Sequence, residues 1–229
     1  MHSTAMKNGK LFFDTYTMGL TSGKVLDIGA QNINGSLKDV CPAHLNYVGV
    51  DFVQGNGVDI VLVDPYQLPF EDESTDIIVM SSVLEHSEMF WILFLEIIRV
   101  LKPSGLLYMN TPSNGRYHIY PVDCWRFHPD SGKALVTWAK RNGYSPMLLE
   151  SFISHQDNLI EMWNDLVAVF LKDAEHLSLY QHRMIDVKKD FSNAWLAGLD
   201  TVINQRTLPE DQEKLQIINA VIKGEIRAA

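Results

Sequence analysis

The sequence predicts an α/β protein whose core is a doubly wound parallel sheet. Two observations support this fold class. Short runs of apolar and β-branched residues alternate with helical patterns through roughly the first 170 residues, as expected of successive strand–helix units. The strand runs are almost continuously hydrophobic, which is typical of parallel strands covered on both faces. Because ligands of such sheets bind at the carboxyl ends of the strands, functional residues are expected there.

Seven runs have the length and composition of buried strands. They lie at residues 24–29, 46–51, 58–63, 75–81, 105–110, 145–154 and 165–172. Between the fourth and fifth runs, apolar side chains recur at helical spacing and are followed by Lys102, Pro103 and Gly105, which predict a helix and its end. A second helix is predicted from Pro129 to Gly143.

The pattern changes after Lys172. Residues 173–229 have mostly helical propensity, and helices are predicted at 191–203 and 209–226, the second with Pro209 in its first turn. The chain is therefore predicted to consist of a ligand-binding domain at 1–172 and a helical C-terminal extension at 173–229. The extension is expected to cap the site or to serve as the dimerisation element of a homodimer. A helix pair packed on the core is the plainer alternative.

The composition of the chain argues against some binding partners and some cellular locations. The chain has 229 residues with 19 basic and 28 acidic side chains, a net charge of −9, which argues against a nucleic-acid partner because phosphate binding needs a basic face. Two cysteines, Cys41 and Cys124, form no close pair and favour a reducing compartment. The longest apolar run, residues 89–95, is too short to span a bilayer. A soluble, cytoplasmic protein without membrane insertion is expected.

The first predicted strand ends in a turn that restricts the choice of ligand. Residues 25–37, VLDIGAQNINGSL, place Gln31 and Asn32 where a dinucleotide-binding loop has its second glycine. Those side chains would crowd a pyrophosphate, which must approach the backbone closely. S-adenosylmethionine has an adenosine but no phosphate, so polar side chains are acceptable. Gly29 keeps the turn tight, and Asp27 can face the ammonium of the methionine moiety directly or through water.

Two further carboxylates stand at strand ends. Asp51, at the end of the second strand, can accept hydrogen bonds from both hydroxyls of a ribose, as NAD sites also do. Asp64, at the end of the third strand, can receive the amino group of adenine, with Pro65 and Tyr66 shaping the pocket.

With these motifs the chain resembles the class I S-adenosylmethionine-dependent methyltransferases, especially the type 11 methyltransferase-domain group. The resemblance covers roughly residues 24–172 and rests on five pieces in order: VLDIGA, GVD, Asp64 followed by LPF, DIIVMSSVLEH and RVLKPSGLLYMNTP. It implies a seven-stranded sheet whose last strand, at 165–172, is antiparallel. It also implies that the methionine end of the cofactor passes the backbone at Ser81. The cofactor site then comprises Asp27, Gly29, Ala30, Gln31, Asp51, Phe52, Asp64, Pro65 and Ser81.

The first motif departs from the usual pattern of that family, which has a glycine at the position of Gln31. The variant IGAQNINGS is similar to a form in sugar- and glycan-associated members, where Asn34 and Gly35 open the following helix. This departure leaves the contacts of the cofactor's carboxylate open.

Two segments can supply the chemistry of methyl transfer. Glu85 and His86 follow the fourth strand at the mouth of the sheet, where His86 is either a structural residue or a general base. The second segment is residues 113–131, a loop too long and too rich in aromatic and ionisable residues for a mere connector. Its YPVDCWRF stretch resembles a subset of bacterial methyltransferases connected with cell-surface glycans or specialised metabolites.

Roles follow for the residues of the loop. His118, Asp123 and His128, together with His86, are the candidate catalytic residues, and Tyr117, Tyr120, Trp125 and Arg126 are the candidate acceptor-binding residues. Trp125 and Phe127 could instead fasten the loop to the core. His118, Asp123 and His128 have the chemistry of metal ligands, but their spacing fits no established motif, so no metal is predicted.

The sequence therefore predicts a methyltransferase that uses S-adenosylmethionine and acts on a small molecule. O-methylation of a sugar or related polar metabolite is favoured, and N-methylation of a small amine is the alternative within the class. From other classes, a non-catalytic S-adenosylmethionine-binding protein and a Rossmann dehydrogenase stay open, the latter disfavoured by the first loop.

Overall fold

One mixed sheet organises the parts of the chain that the computed structural model describes, residues 2–157 and 163–226. Its strands within those ranges are β1 (Lys24–Ile28), β2 (Asn46–Asp51), β3 (Ile60–Val61), β4 (Thr75–Ser81), β5 (Leu101–Pro112), β6 (Met147–Ser154), β7 (Asp165–Leu171) and β8 (Phe191–Leu196). Their spatial order is β3-β2-β1-β4-β5-β7-β6-β8. The first five run parallel, β7 is antiparallel to β5 and β6, and β8 is antiparallel to β6.

The prediction of an α/β fold with a mostly parallel sheet is confirmed, and so is the antiparallel strand at 165–172. The predicted count of seven strands is wrong by one, since the described residues form eight. The third strand shrinks from the predicted 58–63 to two residues, whereas the fifth extends beyond 105–110 at both ends.

The described residues form four α-helices: α1 (Ser3–Tyr16), α2 (Phe90–Val100), α3 (Ser131–Arg141) and α4 (Glu210–Ile222). The predicted helices after the fourth strand, after Pro129 and after Pro209 are thereby confirmed. None of the helices in the described ranges is long and apolar enough to cross a membrane. Sequence analysis did not predict α1, because its buried face includes Thr4, Asn8 and Gly9, which hide the helical period of its aromatic residues.

The helix expected after Asn34 and Gly35 is replaced by a single 3₁₀ turn at Leu37–Val40, with the Ser36 side chain accepting from the Lys38 N–H. The first helix occupies the space beside it. A Cβ at Gly9 of α1 would lie 2.3 Å from Cδ2 of Leu37, so the two segments are in close contact.

The helix predicted at 191–203 is wrong. Residues Phe191–Leu196 form β8 against β6, and Ala194 then pairs with Ile203 in an antiparallel bridge. Two backbone conformations oppose a helix here, since Asn193 and Gly198 both have positive φ, 52° and 86°. The C-terminal extension is thus partly strand and partly helix.

The two faces of the sheet carry separate hydrophobic clusters. Leu26 and Ile78 belong to the cluster that α2 and α3 cover, whereas their neighbours Val25 and Ile77 belong to the cluster that α1 covers. Successive side chains of a strand point to opposite faces. Because both faces are covered, the central strands are apolar at almost every position, which is the pattern in the sequence.

The extension is anchored to the sheet through a buried carboxyl group on β6. Glu150 is fully buried, and its Oε1 accepts hydrogen bonds from the Tyr16 hydroxyl, 2.6 Å, and the Met184 N–H, 2.7 Å. The Ile185 N–H donates to Oε2 at 3.3 Å. Burial raises the pKa of Glu150. One side chain therefore joins α1, β6 and residues after Lys172, while the division of the chain into two parts at Lys172 stays a prediction.

Truncation of the extension tests how much of it the sheet needs. A chain that ends at Lys172 lacks β8 and both backbone donors to Glu150, and it uncovers the apolar groups around Met184 and Phe191. We expect it to aggregate, because an open strand edge and exposed apolar surface promote association. A chain that ends at Thr207 loses only α4, which buries none of its side chains, and should stay folded. Size-exclusion chromatography and circular dichroism compare the two; a folded, monomeric chain ending at Lys172 would contradict the expectation.

Candidate cofactor and acceptor site

A tight turn follows β1 at the carboxyl edge of the sheet. Gly29 has φ +78°, and a Cβ there would lie only 2.4 Å from Cγ2 of Val83. The N–H groups of Gly29 and Ala30 both donate to the carbonyl of Val50, at 2.8 and 3.1 Å. A side chain at Gly29 would therefore clash as well as strain the backbone. The tight turn predicted from the sequence is present.

Asp51 lies beside this turn at the end of β2. It is buried, and its carboxylate accepts hydrogen bonds from the Gln31 N–H, 3.1 Å, and the Val53 N–H, 3.2 Å, one on each oxygen. Each oxygen keeps further acceptor capacity, so the fixed carboxylate can also accept from a diol. Phe52 is 47 % exposed next to it and offers an apolar surface. The arrangement has the chemistry needed for the predicted ribose contact.

The polar side chains of the first loop are used within the protein. Asn32 accepts the Gly35 N–H at 2.9 Å and donates its own N–H to the carbonyl of Asn56 at 2.8 Å. Gln31 packs on the backbone at Gly55, where a Cβ would lie 2.5 Å from its Nε2. Both side chains are therefore engaged in contacts within the loop and with the segment at 55–56.

Asp27 lies on β1 and is buried against Tyr47. The Tyr47 hydroxyl donates a hydrogen bond of 2.6 Å to Oδ2 of Asp27. Burial raises the pKa of Asp27 to about 7, this hydrogen bond lowers it, and the neighbouring Asp51 carboxylate raises it further. The structure therefore gives Asp27 an internal partner, and its contact with the cofactor's ammonium stays a prediction.

Asp64 and Pro65 occupy an exposed turn after β3. Oδ1 of Asp64 accepts the Tyr66 N–H at 2.8 Å, and the Tyr66 hydroxyl accepts the Met89 N–H at 3.2 Å. Asp64 therefore shapes its own turn, and the adenine contact predicted for it and for Pro65 stays a prediction.

The end of β4 supplies a feature that sequence analysis missed. Ser81 is buried, and its hydroxyl lies 3.5 Å from the side-chain amide of Asn110. The next residue, Ser82, has φ +56°, which is uncommon for a residue other than glycine, and its N–H donates to the carbonyl of Asn110 at 2.9 Å. Strained backbone of this kind concentrates at binding sites. No local pattern in the sequence marks it.

A cluster of ionisable groups, Glu85, His86 and His118, lies at the mouth of the sheet beyond Ser82. Glu85 is fully buried, and its Oε2 accepts a hydrogen bond from the Thr111 hydroxyl at 3.1 Å. Its Oε1 has no hydrogen-bond partner and lies 3.7 Å from Nε2 of His86. Burial raises the pKa of Glu85 to about 8. We call these three residues the mouth cluster.

The two histidines of the mouth cluster are oriented by neighbouring oxygen atoms. Nδ1 of His86 lies 2.5 Å from the carbonyl oxygen of Val122, so Nδ1 carries the proton and Nε2 keeps its lone pair. Burial lowers the pKa of His86. The ring of His118 lies 4.8 Å from that of His86, and its Nδ1 is 3.3 Å from Oδ2 of Asp123, which also accepts the His118 N–H at 2.7 Å.

Arg126 braces the loop from within. Its guanidinium donates to both oxygens of Asp123, at 2.5 and 2.8 Å, and to the carbonyls of Arg116 and Trp125. These hydrogen bonds hold the pKa of Asp123 well below its usual range, which makes Asp123 a poor base. The structure thus shows both residues in internal contacts, and the acceptor contact predicted for Arg126 stays a prediction.

The aromatic residues of the loop divide into two groups. Trp125 donates through Nε1 to the carbonyl of Ser87 at 2.9 Å, and the rings of Trp125 and Phe127 lie 5.4 and 5.0 Å from Phe90 at the start of α2. These two rings fasten the loop to the core. By contrast, Tyr117 and Tyr120 are 71 % and 55 % exposed, and the Tyr120 ring is 6.1 Å from that of His86.

His128 does not join the other candidate catalytic residues. Among the described residues, the group of ligand-type side chains that comes together is Glu85, His86 and His118. His128 is exposed and lines a cavity of about 300 Å³ between the loop and the C-terminal extension, with Ser113, His155, Asn164 and Arg206 among its walls. The trio His118, Asp123 and His128 considered from the sequence is therefore not formed as a cluster, because the loop turns at Pro129 toward α3.

The fold is a Rossmann-like α/β fold, and a match to a family model identifies the chain as a methyltransferase. Residues 23–109, from just before β1 into β5, match the family model described as methyltransferase domain. This segment includes the turn at Gly29, Asp51, Ser81 and two of the three mouth-cluster residues. The predictions that the chain is a methyltransferase enzyme and that S-adenosylmethionine is its cofactor are confirmed by this match. None of the curated proteins compared with the chain matches it.

Solved structures share the fold at low identity. A 1,6-didemethyltoxoflavin-N1-methyltransferase of Burkholderia thailandensis is 14 % identical with a TM-score of 0.53, over 74 % of this chain and 78 % of that one. A S-adenosylmethionine-dependent methyltransferase of Archaeoglobus fulgidus is 16 % identical with a TM-score of 0.51, over 72 % and 93 %. The [4+2]-cyclase SpnF is 14 % identical with a TM-score of 0.52, over 73 % and 81 %. These likenesses show the fold alone, and the fold hosts more than one chemistry.

Substitution of Asp51 tests the predicted ribose contact. We expect Asp51→Ala to weaken binding of S-adenosylhomocysteine by about 2–3 kcal/mol, because a charged acceptor in a partly desolvated site is lost. Asp51→Asn, which keeps one acceptor oxygen, should lose less. Isothermal titration calorimetry measures both, with the exposed Asp39→Ala as a control. Unchanged affinity in a folded Asp51→Ala variant would remove Asp51 from the site.

The buried carboxyl group of Asp27 makes stability depend on pH. Its pKa of about 7 in the fold exceeds the ordinary value of 3.8, so the fold favours the protonated form. The free energy of unfolding should therefore fall as pH rises from about 4 to about 7, by up to about 1.4 kcal/mol per pH unit. Asp27→Asn cannot ionise and should lose this contribution. Urea unfolding at several pH values in that range measures the free energy of unfolding, with Asp39→Asn as the control. If this free energy changed with pH in the same way in Asp27→Asn and in the wild type, the expectation would be refuted.

Proposed function

We propose that this methyltransferase transfers the methyl group of S-adenosylmethionine to a hydroxyl group of a small polar acceptor, with a sugar or glycan-related metabolite as the favoured class. The observation that carries the proposal is the mouth cluster. Nε2 of His86 has a free lone pair beside the buried Glu85, and both lie directly after the strand that ends at Ser81. A proton can therefore be removed at the edge where the cofactor binds.

The chemistry of methyl transfer explains why a proton-removing group points to a hydroxyl acceptor. The sulfonium is already an activated donor, so the protein mainly aligns the acceptor with the methyl group and excludes water. A hydroxyl must in addition lose its proton as the C–O bond forms. A neutral amine attacks through its lone pair without that help. Burying the polar groups of the mouth cluster is unfavourable for stability, and an enzyme that methylates a neutral amine would not need them.

The surroundings of the mouth cluster favour a small, polar, uncharged acceptor. Exposed Tyr117 and Tyr120 offer rings with apolar faces and hydroxyl groups, which suit a ligand that is both polar and carbon-rich. The guanidinium of Arg126 is engaged with Asp123, so it is not an open anchor for an anion. The chain also carries a net charge of −9, which disfavours nucleic acids and other polyanions.

An acceptor is first found by screening sugars, other polyols and small amines for release of S-adenosylhomocysteine. Variants of the two histidines of the mouth cluster then test the proposal. With a hydroxyl acceptor, His86→Ala and His118→Ala should each lower kcat by about 10²–10⁴-fold, because proton removal is impaired. Cofactor affinity should stay nearly unchanged. The exposed His44→Ala and His182→Ala serve as controls and should retain wild-type kcat.

Each alternative gives a different result in the same assay. Methylation of amines alone, with normal kcat in both mouth-cluster variants, would replace the proposal by N-methylation. Binding of S-adenosylhomocysteine without turnover of any acceptor would support a non-catalytic binding protein.

A further inference from the structure

The carboxyl group of Glu85 is incompletely satisfied. The residue is fully buried, Thr111 donates to one oxygen, and the other oxygen has no hydrogen-bond partner among the described residues. An unpaired buried oxygen of this kind is unfavourable, more so if it is ionised, and natural proteins retain one where an ion or a catalytic role accounts for it. The lone oxygen faces Nε2 of His86, which likewise has a free lone pair. The mouth cluster therefore holds a buried carboxyl oxygen without a hydrogen-bond partner 3.7 Å from an imidazole nitrogen with a free lone pair.

The two histidines are held in the way that metal-binding histidines are held. Such residues usually present one ring nitrogen to the metal and direct the other to a backbone carbonyl or a carboxylate. Nδ1 of His86 lies against the carbonyl of Val122, and Nδ1 of His118 lies 3.3 Å from the carboxylate of Asp123. Asp123 is in turn fixed by Arg126. The loop thus builds a second layer of contacts around two imidazoles, which a purely structural histidine pair does not need.

We infer that the mouth cluster binds a divalent transition-metal cation, with Glu85, His86 and His118 each contributing one ligand atom. These atoms all lie within 4.8 Å of one another, and the pair from Glu85 and His86 is 3.7 Å apart. A tetrahedral ion with bonds of about 2.1 Å holds neighbouring ligands roughly 3.4 Å apart, so small side-chain rotations close the site. Two imidazoles and one carboxylate suit zinc, iron, cobalt or manganese better than calcium or magnesium, which prefer oxygen ligands.

The inference deepens the proposed function and in this respect rests on it. Three protein ligands leave a coordination position open, as in catalytic metal sites. A hydroxyl oxygen bound there becomes more acidic, because the cation stabilises the alkoxide. Its proton leaves to solvent water, the oxygen forms a bond to the methyl carbon, and the carbon–sulfur bond breaks to give S-adenosylhomocysteine. When Nε2 of His86 is a ligand of the cation, it cannot also accept the proton of the acceptor hydroxyl. The cation then promotes loss of that proton to solvent.

Metal titration of the full-length, tag-free protein tests the inference without any acceptor. After treatment with a chelator and its removal, Co²⁺ or Zn²⁺ is added alone, and binding is followed by calorimetry and by the visible absorption of Co²⁺. We expect one cation per chain. Glu85→Gln and His118→Ala should each weaken binding by at least about 100-fold, and Asp123→Asn, which perturbs only the second layer, by about 10–100-fold. His44→Ala and His182→Ala should bind as the wild type does, and circular dichroism checks that each variant is folded.

The outcomes separate this inference from the proposed function. No stoichiometric binding, or equal affinity in wild type, Glu85→Gln and His118→Ala, would overturn the cation site. Full methyl transfer to a hydroxyl acceptor in the presence of chelator would also overturn it, while leaving the proposed function intact. Conversely, a site that binds one cation in a protein that methylates only amines would retain the inferred ligands and reject the hydroxyl acceptor.

Discussion

The mouth cluster and the loop at 113–131 depend on Glu85, which acts through both its main chain and its side chain. Its carbonyl accepts the N–H groups of Cys124 and Trp125, at 2.7 and 3.3 Å, and so determines where the loop at 113–131 crosses the sheet edge. Its carboxyl group is held by Thr111 at the end of β5. Because Val122 is brought close by the same crossing, the orientation of His86 follows from it. Removing the side chain would affect the cluster, whereas the main-chain contacts would still hold the loop.

The turn after β1 is organised differently, by backbone hydrogen bonds together with the buried carboxylate of Asp51. The carbonyl of Val50 receives two N–H groups from the turn after β1, and Asp51 receives another from Gln31. These contacts bring the ends of two parallel strands together through main-chain groups and the carboxylate of Asp51. The identity of Gly29 matters as well, since any larger residue would meet Val83. The turn after β1 and the loop at 113–131 are therefore held by separate sets of hydrogen bonds.

The sequence allowed the central sheet and the tight turn after β1 to be predicted because their determinants are local. Continuous apolar runs mark strands covered on both faces, and strand ends meet at one edge, so Asp51 and Gly29 had to be near each other. The wrong predictions fall where residues distant in the sequence determine the local structure. Apolar residues in the segment after Phe191 recur at near-helical spacing, but pairing with β6 and positive φ at Asn193 and Gly198 make it a strand. Likewise, the proximity of His118 to His86 depends on the path of the loop, which no local pattern encodes.

The order of strands has a consequence for how the chain is assembled during synthesis. Strand β7 lies between β5 and β6, although β6 precedes it in the chain. When β6 leaves the ribosome, the growing sheet therefore has no neighbour for it, since both of its partners, β7 and β8, are still to come. The first five strands can pair as they emerge, each beside an earlier one. Strand β6 therefore stays unpaired until β7, which ends at residue 171, is available, and the sheet is complete only when β8 has followed. An unpaired apolar segment of this kind is prone to aggregation.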